Sequence, residues 1–451
     1  MTDSERFGYI DMVTAERSPG STLKPFIYGL ALDEGLIHSQ SLLMDVPLTF
    51  GDYRPQNFTR GFSGAVSVSR ALQKSLNIPA VQVLEQLGPG NFFARMQTAG
   101  AGLLLPPDAT PNLTLALGGE ATNLQHLVAL YSALANEGYA ITPRFTALDS
   151  IQRRKLLSPG AAWIIRDILA QAKVGESWRQ NVAIKTGTSY GNRDAWAIGA
   201  SEHHTIGVWV GSPDNAAMTG HYGSFTAVPI LRSVSAILPD TAYSAHAQPD
   251  SVTRKQICWP GGQNTPDLCD QKMEAWILDG VIPPTLMGSL AQAPLISTPY
   301  QTFSIAADSG LRAALGCHVQ SRQQTLPIWP AALQSWIPAK WRNANRIPPL
   351  DPRCRQSDGL LSETPVQIIG LDRNTRLKRH PSTTSQPQLS FKAVGGQPQW
   401  YWFLNGELLD EHGDTLHLSM PLPGSYQLAV SDQAGMSDAL DFIVEPQDIF
   451  R

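Results

Sequence analysis

Charged residues are scarce in this sequence of 451 residues: they make up 16% of the chain, where about a quarter is usual. The 34 basic residues are outnumbered by 38 acidic ones, which gives a formal net charge of −4. Proteins that bind nucleic acid generally carry a basic surplus for the phosphates, so that class is disfavoured. No window holds 18 consecutive apolar residues, and the first dozen residues lack the basic and apolar regions of a signal peptide. The sequence therefore predicts neither a transmembrane helix nor an export signal.

Cysteine is also rare. The four cysteines all lie in the second half of the chain: Cys258, Cys269, Cys317 and Cys354. None forms a C-x-x-C pair and no histidine stands at zinc-finger spacing, so a zinc site is disfavoured. An even number in a proline-rich region favours disulfides and an oxidising compartment, with Cys258–Cys269 and Cys317–Cys354 preferred by sequence proximity alone. Four buried free thiols are the alternative.

The first part of the chain has the pattern of a mixed fold. Hydrophobic residues make up 42% of the sequence, enough for a sizeable core, and the length predicts about three domains. Residues 1–240 contain several helix-like segments and then three β-like runs at 181–189, 195–200 and 205–211. Because short polar turns join these runs, they predict an antiparallel meander. Helices packed on such a sheet give an α+β fold.

The rest of the chain changes character twice. Residues 241–360 are proline-rich and hold all the cysteines, which predicts an irregular connector. Six or seven short alternating strands then follow over residues 361–451, with a strong hairpin turn at Asn405-Gly406. They predict a small all-β sandwich, and we expect Trp400 and Trp402 to belong to its core rather than to a sugar-binding platform.

A first motif, S-x-x-K, begins at Ser21 and ends at Lys24. Positions i and i+3 share one face of a helix, so the amine of Lys24 can lie beside the hydroxyl of Ser21. A serine hydroxyl becomes a useful nucleophile only when a neighbouring base takes its proton. Lysine can be that base if burial or a nearby cation such as Lys185 lowers its pKa. The N–H groups of the helix start suit a developing oxyanion at Ser21.

A second motif, K-T-G-T, begins at Lys185 on a predicted strand. Gly187 has no side chain, so a substrate can approach the backbone closely and pair there as an additional strand. Lys185 and the hydroxyls of Thr186 and Thr188 suit a terminal carboxylate. This motif is rarer than S-x-x-K and carries more weight.

A third motif, S-x-N, comprises Ser75 and Asn77 at a helix break expected near Pro79. Ser75 is a candidate proton shuttle and Asn77 a candidate amide ligand for the substrate. Taken singly, S-x-x-K and S-x-N are weak signals, since a polar helix start and a polar helix-ending turn explain them equally well. Their order and spacing together with K-T-G-T make the set more specific.

The three motifs resemble those of penicillin-binding proteins and class A β-lactamases. Longer stretches resemble the transpeptidase half of class A penicillin-binding proteins, most closely their 1C subgroup, and the terminal strands resemble that subgroup's C-terminal β-domain. Together they cover nearly the whole chain, in residues 17–43, 50–58, 72–85, 157–166, 185–199, 251–263 and 401–407. The resemblance implies a transpeptidase domain over 1–240, a connector over 241–360 and a β-sandwich domain over 361–451.

The resemblance also implies a D,D-transpeptidase that cross-links peptidoglycan stem peptides. Ser21 would attack the penultimate D-Ala carbonyl with Lys24 as base, and D-Ala would leave with a proton passed through Ser75. An amine of a neighbouring stem peptide would then release the acyl group. The backbone N–H groups of Ser21 and Thr188 would form the oxyanion hole, and β-lactams would acylate Ser21. No metal and no organic cofactor is implied.

One departure from the family concerns the start of the chain. Family members carry a membrane anchor and a glycosyltransferase domain before the transpeptidase, and their first sheet strands precede the nucleophile. Here only residues 7–14 are left to supply a strand. We therefore expect a truncated periplasmic fragment of a bifunctional enzyme, with an incomplete sheet and weak activity or poor folding.

Several alternatives stay open. A D,D-carboxypeptidase or a β-lactamase would differ only in using water as acyl acceptor. A non-catalytic remnant could instead bind a protein or the cell wall through residues 361–451. We expect His203 and His204 to form a solvated turn rather than a metal site, and Glu120 to be structural rather than a hydrolytic base.

Overall fold

The chain is described by a computed structural model over the following residues: 10–48, 50, 53–59, 61–172, 182–239, 247–259, 261–262, 271–283, 300–313, 317–327, 333, 336, 347–356, 366–373, 375–378, 388–396, 399–411, 413–432 and 437–445. It divides into two compact units. The first consists of residues 1–45, 56–61 and 66–292, and the second of residues 46–55, 62–65 and 293–451.

Seven α-helices belong to the described part of the first unit. They are α1 (Lys24–Asp33), α2 (Val68–Gln73), α3 (Asn77–Leu87), α4 (Pro89–Thr98), α5 (Leu124–Ser132), α6 (Pro159–Ala170) and α7 (Gly223–Ile237). Polar N-caps begin three of them, since side-chain oxygens of Ser67, Asn123 and Ser158 accept the backbone N–H three residues on. Among the described residues, no helix is long and apolar enough to cross a membrane.

The helix break before α3 differs from the prediction. It lies at residues 74–76, and Pro79 is inside the first turn of α3, where a missing N–H costs nothing. The turn instead contains Ser75 in a left-handed conformation, with φ +56°. The chain therefore reverses at the serine of the S-x-N motif itself.

The described strands of the first unit's main sheet are β5 (Ala183–Thr188), β6 (Asp194–Ala200) and β7 (Thr205–Gly211), in the order β5-β6-β7. All pairings are antiparallel, so the predicted meander is confirmed. Helix α7 packs on this sheet through an apolar cluster of Val182, Ile184, Ala197, Val208, Ala227, Val228 and Leu231. Of the stretch expected to supply a further strand, residues 10–14 are not in a strand, and residues 7–9 lie outside the described residues.

Three smaller pairs of described strands lie wholly or partly in the first unit. β1 (Leu42–Asp45) pairs with β2 (Gly64–Ser67), β3 (Tyr139–Ile141) with β4 (Arg153–Lys155), and β8 (Val252–Cys258) with β9 (Lys272–Leu278). The β8–β9 pair lies within the stretch predicted to be an irregular connector. Trp276 of β9 contacts Trp163 of α6 edge to face, with ring centroids 4.9 Å apart, and its indole N–H donates to Asp167. The start of the expected connector is therefore an ordered strand pair packed on the first unit.

The second unit has a further antiparallel pair, β10 (Tyr300–Ala306) with β11 (Ser321–Pro327). A disulfide joins Cys317 to Cys354, with Cα atoms 5.3 Å apart, as the sequence proximity suggested. Cys258 is also disulfide-bonded, and Cys269 lies outside the described residues. The prediction of irregular structure throughout 241–360 is thus wrong, because the four strands β8 to β11 lie between the proline-rich segments on which that prediction rested.

The end of the chain forms two facing sheets, as predicted. One has the order β12-β14-β17, from β12 (Gln367–Ile369), β14 (Gln388–Val394) and β17 (Thr415–Ser419). The other has the order β13-β19-β18-β15-β16, from β13 (Thr375–Lys378), β15 (Trp400–Leu404), β16 (Glu407–Leu408), β18 (Gly424–Asp432) and β19 (Ser437–Glu445). Trp402 is fully buried in the apolar core with Trp400 packed against it, and Asn405-Gly406 forms the β15–β16 turn.

Candidate active site

The S-x-x-K motif is held in a short 3₁₀ turn, Gly20–Leu23, which continues directly into α1. Helix α1 is apolar on all its faces and almost wholly buried, which fixes the turn at the centre of the unit. Ser21 is half-buried, whereas the side chain of Lys24 is completely buried. The motif thus combines an accessible hydroxyl with a desolvated amine.

Two glycines bring this turn into contact with the K-T-G-T strand β5. A Cβ on Gly20 would lie 2.5 Å from the carbonyl oxygen of Thr188, and one on Gly187 would lie 2.6 Å from that of Pro19. Both distances are shorter than side-chain atoms tolerate, so both positions require glycine. Gly187 therefore allows the approach of the nucleophile turn. The space beside it is occupied by protein and is not open to a substrate on that face.

The amine of Lys24 connects the first motif to the S-x-N motif. Its Nζ donates to the carbonyl oxygens of Ser75 and Leu76, at 2.9 and 3.1 Å, and to Asn77 Oδ1 at 2.5 Å. Burial lowers the pKa of Lys24 well below its usual value, the positive charge of Lys185 lowers it further, and the carboxylate of Asp45 acts in the opposite direction. A lysine in this environment can exist as the neutral amine that a general base requires.

The amine of Lys185 connects the second motif to the third. Lys185 Nζ donates to Ser75 Oγ and to the carbonyl oxygen of Thr186, both at 2.7 Å. Burial lowers the pKa of Lys185 to about 7. Two buried lysines thus hold the same serine, Lys24 at its carbonyl and Lys185 at its hydroxyl. The structure brings all three motifs into one site.

Strand β5 forms the wall of this site. Among the described residues it pairs only with β6, so its other edge is available to an extended peptide. Thr186 is half-buried, and Thr188 Oγ1 accepts a hydrogen bond from the N–H of Gly223, the first residue of α7. The contact of Gly20 with Thr188 also brings the backbone of the Ser21 turn to the backbone of Thr188, the two segments expected to supply oxyanion donors.

Two further residues of the site were missed by sequence analysis. Asn57 Oδ1 accepts from the backbone N–H of Asn77 at 2.9 Å, and Asn57 Nδ2 donates to Asp45 Oδ1 at 2.7 Å. Asp45 is completely buried. The stretch 50–58 carried part of the family resemblance, which was a signal that Asn57 has a special role.

The structure also describes three residues for which the sequence favoured structural roles: Glu120, His203 and His204. Glu120 is buried, neither of its carboxylate oxygens has a hydrogen-bond partner within the described residues, and burial raises its pKa to about 8. His203 and His204 lie at the turn between β6 and β7, where Ser201 and His204 bond to each other. No group of side chains suited to hold a metal ion occurs in the described ranges.

The chain matches four sequence families. The largest match, "Penicillin binding protein transpeptidase domain", covers residues 3–235, just over half of the chain. "Penicillin-binding protein 1C linker domain" matches 251–277, "Penicillin-binding protein 1C, second linker domain" matches 294–345, and "Penicillin-Binding Protein C-terminus Family" matches 356–442. The first linker match coincides with the β8–β9 pair.

Individual proteins agree with these matches. Penicillin-binding protein 1C of Escherichia coli K12 is 44% identical over 99% of this chain and 58% of its own length. Penicillin-binding protein 1A of Neisseria cinerea is 29% identical over 48% of this chain and 30% of its own length. The chain therefore spans little more than half the length of the E. coli relative, and less of the Neisseria one.

A solved structure shows the same fold. The crystal structure of penicillin-binding protein 1A from Haemophilus influenzae superposes with a TM-score of 0.52 at 19% identity, covering 61% of this chain and 50% of the other. The predicted α+β fold and family resemblance are thereby confirmed. With three converging motifs, a matching transpeptidase domain and the matching linker and C-terminal domains, this chain belongs to the penicillin-binding protein transpeptidase family.

Proposed function

We propose that this chain is an acyl-serine D,D-transpeptidase that cross-links peptidoglycan stem peptides and is acylated by β-lactams. One observation carries the proposal: two buried lysines with lowered pKa values, Lys24 and Lys185, converge on Ser75 beside the turn that carries Ser21. Buried cations are costly to maintain, and such perturbed groups cluster at reactive sites.

In the acylation step, neutral Lys24 takes the proton from Ser21 Oγ, which bonds to the carbonyl carbon of the penultimate D-Ala. The backbone N–H groups of Ser21 and Thr188 stabilise the negative charge on the carbonyl oxygen. The peptide C–N bond then breaks, and the departing D-Ala nitrogen receives the proton through Ser75 Oγ. The hydrogen bond from Lys185 to Ser75 Oγ, 2.7 Å long, orients this hydroxyl.

In the second step, the amine of a neighbouring stem peptide attacks the ester. Its nitrogen bonds to the acyl carbon, Lys24 accepts its proton, and the C–Oγ bond breaks as Ser21 regains a hydrogen. Water in place of the amine would give the D,D-carboxypeptidase outcome. These side chains perform every step, so the proposal needs no cofactor.

The substrate binds along β5. A peptide that pairs with the free edge of β5 is oriented by main-chain hydrogen bonds. Its terminal carboxylate is bound by Lys185 and by the hydroxyls of Thr186 and Thr188. Asn77 Nδ2 donates one hydrogen to the carbonyl oxygen of Gln56 and its second hydrogen to a carbonyl oxygen of the peptide. Because a β-lactam carries a carboxylate beside a reactive carbonyl, it occupies the same positions.

The same proposal implies a cellular location for the protein. The proposed cross-linking of stem peptides takes place outside the inner membrane, and the Cys317–Cys354 disulfide suits an oxidising compartment such as the periplasm. We infer that this chain is located in the periplasm. The β-sandwich of residues 361–451 remains a candidate surface for a wall or protein partner.

The test is an assay with a synthetic stem peptide that ends in D-Ala-D-Ala. Release of D-Ala and formation of a cross-linked product in the presence of an acceptor amine are expected, and both are lost in Ser21→Ala. Release of D-Ala without any amine-linked product would make the chain a carboxypeptidase. No release from protein that is folded by circular dichroism would contradict the proposal.

A further inference from the structure

The S-x-N motif is supported by a buried polar network around Asn57. Both ends of the Asn57 side chain are used: Nδ2 donates to Asp45 Oδ1 at 2.7 Å and to the carbonyl oxygen of Gly61 at 2.9 Å, while Oδ1 accepts from the N–H of Asn77. Asn57 is 5% exposed and Asp45 not at all. A satisfied buried network of this kind holds its members in one geometry.

The network fixes which way Asn77 faces. Asn77 Nδ2 donates to the carbonyl oxygen of Gln56 at 2.6 Å, which leaves Oδ1 directed at Lys24 Nζ. The adjoining residues Gln56 and Asn57 therefore hold Asn77 at two points, its side-chain amide and its backbone N–H. The chain just before α3, including the left-handed Ser75, is anchored by these bonds and by Lys24.

The same network includes a carboxylate that acts on Lys24. Burial and Lys185 on β5 lower the pKa of Lys24, whereas the carboxylate of Asp45 on β1 raises it. Burial raises the pKa of the Tyr28 phenol on α1, and Asp45 raises it further. Lys185 and Asp45 are thus the ionisable groups that act on Lys24 by charge, from β5 and β1.

We propose that Asp45 and Asn57 are positioning residues of the reaction: Asn57 holds Asn77 and the Ser75 turn in place, and Asp45 holds Asn57 and acts on Lys24 through its charge. This inference rests on the proposed function, since it assigns roles around the same serine. Neither residue touches the substrate. Asn57 acts through geometry, and Asp45 acts through charge on Lys24 and through its hydrogen bond to Asn57.

The two roles separate in two variants. Asp45→Asn keeps an oxygen for the Asn57 hydrogen bond but removes the charge, so the pKa of Lys24 falls further. The acidic limb of the pH profile for acylation then moves to lower pH, by about one unit. Asn57→Ser loses the hydrogen bond to Asn77, so Asn77 and the Ser75 turn are misplaced and acylation slows about 10- to 100-fold. The acidic limb of its pH profile stays at the wild-type pH.

The experiment measures the rate constant of labelling by a fluorescent penicillin from pH 5 to 9, normalised to the fraction of sites labelled at saturation. Asp33→Asn and Asn91→Ser are matched controls. Asp33 is a partly buried carboxylate that accepts from the N–H of Ser158, and Asn91 is an exposed amide bonded to Glu34. Both controls should keep the wild-type rate and limb, because they lie away from the three motifs.

The outcomes distinguish this inference from the proposed function. Wild type that takes no label defeats the proposed function. If wild type is labelled but the acidic limb of Asp45→Asn does not move, the role assigned to Asp45 is overturned. If wild type is labelled but the rate of Asn57→Ser is unchanged, the role assigned to Asn57 is overturned. If Asn57→Ser gives no labelled sites at all, the pH position of the acidic limb in Asp45→Asn decides the inference.

Discussion

The first unit, called the catalytic unit below because it holds the candidate active site, and the β-sandwich bury different kinds of side chain at their centres. The sandwich core consists of apolar residues around Trp402, Phe391 and Phe442. The centre of the catalytic unit buries Lys24 and Lys185 beside the apolar helix α1. Burying charge costs stability, whereas burying apolar surface provides it. The sandwich core thus contributes stability, whereas the first unit gives up some stability to hold buried amines.

The left-handed residues of the two regions show the same contrast. In the sandwich, Asn405 and Gly406 adopt φ +52° and +83° in a two-residue hairpin turn, where this conformation matches the strand twist. In the catalytic unit Ser75 adopts φ +56°, which serine rarely does, and hydrogen bonds from Lys24 and Lys185 hold it there. Strain of this kind persists where function requires the geometry.

The largest expected effect on the acylation rate comes from removing the proposed base, Lys24. Lys24→Ala is expected to slow acylation by penicillin about 10³-fold, because the proposed general base for the Ser21 hydroxyl is removed. Labelling rates on a gel measure the effect. Lys74→Ala, a change in an exposed lysine beside Ser75, is the control and should keep the wild-type rate. Equal rates in the two variants would mean that Lys24 is not the base.

A core mutation in the sandwich should act on stability alone. Trp402→Ala removes the fully buried indole and its hydrogen bond to the carbonyl oxygen of Gly413, so we expect a loss of about 3–5 kcal/mol. Denaturant unfolding measures it, with the exposed Leu422→Ala as a control that changes stability by less than about 0.5 kcal/mol. Labelling of Ser21 should persist, since the motif residues belong to the first unit. Loss of labelling together with stability would refute this separation.

The charge of Lys185 predicts that the acylation rate falls at alkaline pH. With a pKa of about 7 in the empty site, Lys185 loses its proton above neutral pH and binds the β-lactam carboxylate less well. Acylation at low penicillin concentration should therefore fall above pH 7, by up to about tenfold per unit. Lys185→Arg stays charged, so its lower rate should be flat from pH 7 to 9. The same fall in the arginine variant would assign the limb to another group.

The last prediction concerns the pH dependence of stability that the buried Glu120 produces. Its pKa of about 8 in the folded protein exceeds the usual 4.5, so the folded state binds more protons than the unfolded state between these values. Its contribution is therefore favourable at low pH, and stability falls as pH rises through this window, by about 1.4 kcal/mol per unit from this residue. Melting curves from pH 5 to 8 should show a shallower decline in Glu120→Gln but not in the exposed control Glu34→Gln. Parallel declines in all three proteins would contradict the assignment.

The sequence predicted the strand meander and identified the three motifs that meet in the structure, because these depend on local spacing. The roles assigned to Ser21 and the two lysines stay predictions. Ser21 and Lys24 share a helical turn, and K-T-G-T stands on a strand whose turns are short. Asp45 and Asn57 were missed because their roles arise only when β1 and the segment before α3 pack together. No periodicity or spacing within the chain reports such a contact.

The other differences between the sequence prediction and the structure have local causes. Pro79 was expected to mark the helix break, but a proline in a first turn is compatible with a helix, and the preceding Ser75 turn makes the break. The β8–β9 pair was missed because its alternation is short and is surrounded by prolines and glycines. Gly187 was identified correctly as a position of close approach, but the neighbour is the turn at Pro19.

The central claim is that Ser21 is a nucleophile activated by buried lysines, and covalent labelling by a fluorescent penicillin tests it most directly. The purified chain should take one label, mapped by mass spectrometry to the peptide that contains Ser21, and Ser21→Ala should take none. A thermal unfolding curve of each protein shows whether it is folded. Folded wild type without label, or equal labelling of Ser21→Ala, would contradict the claim.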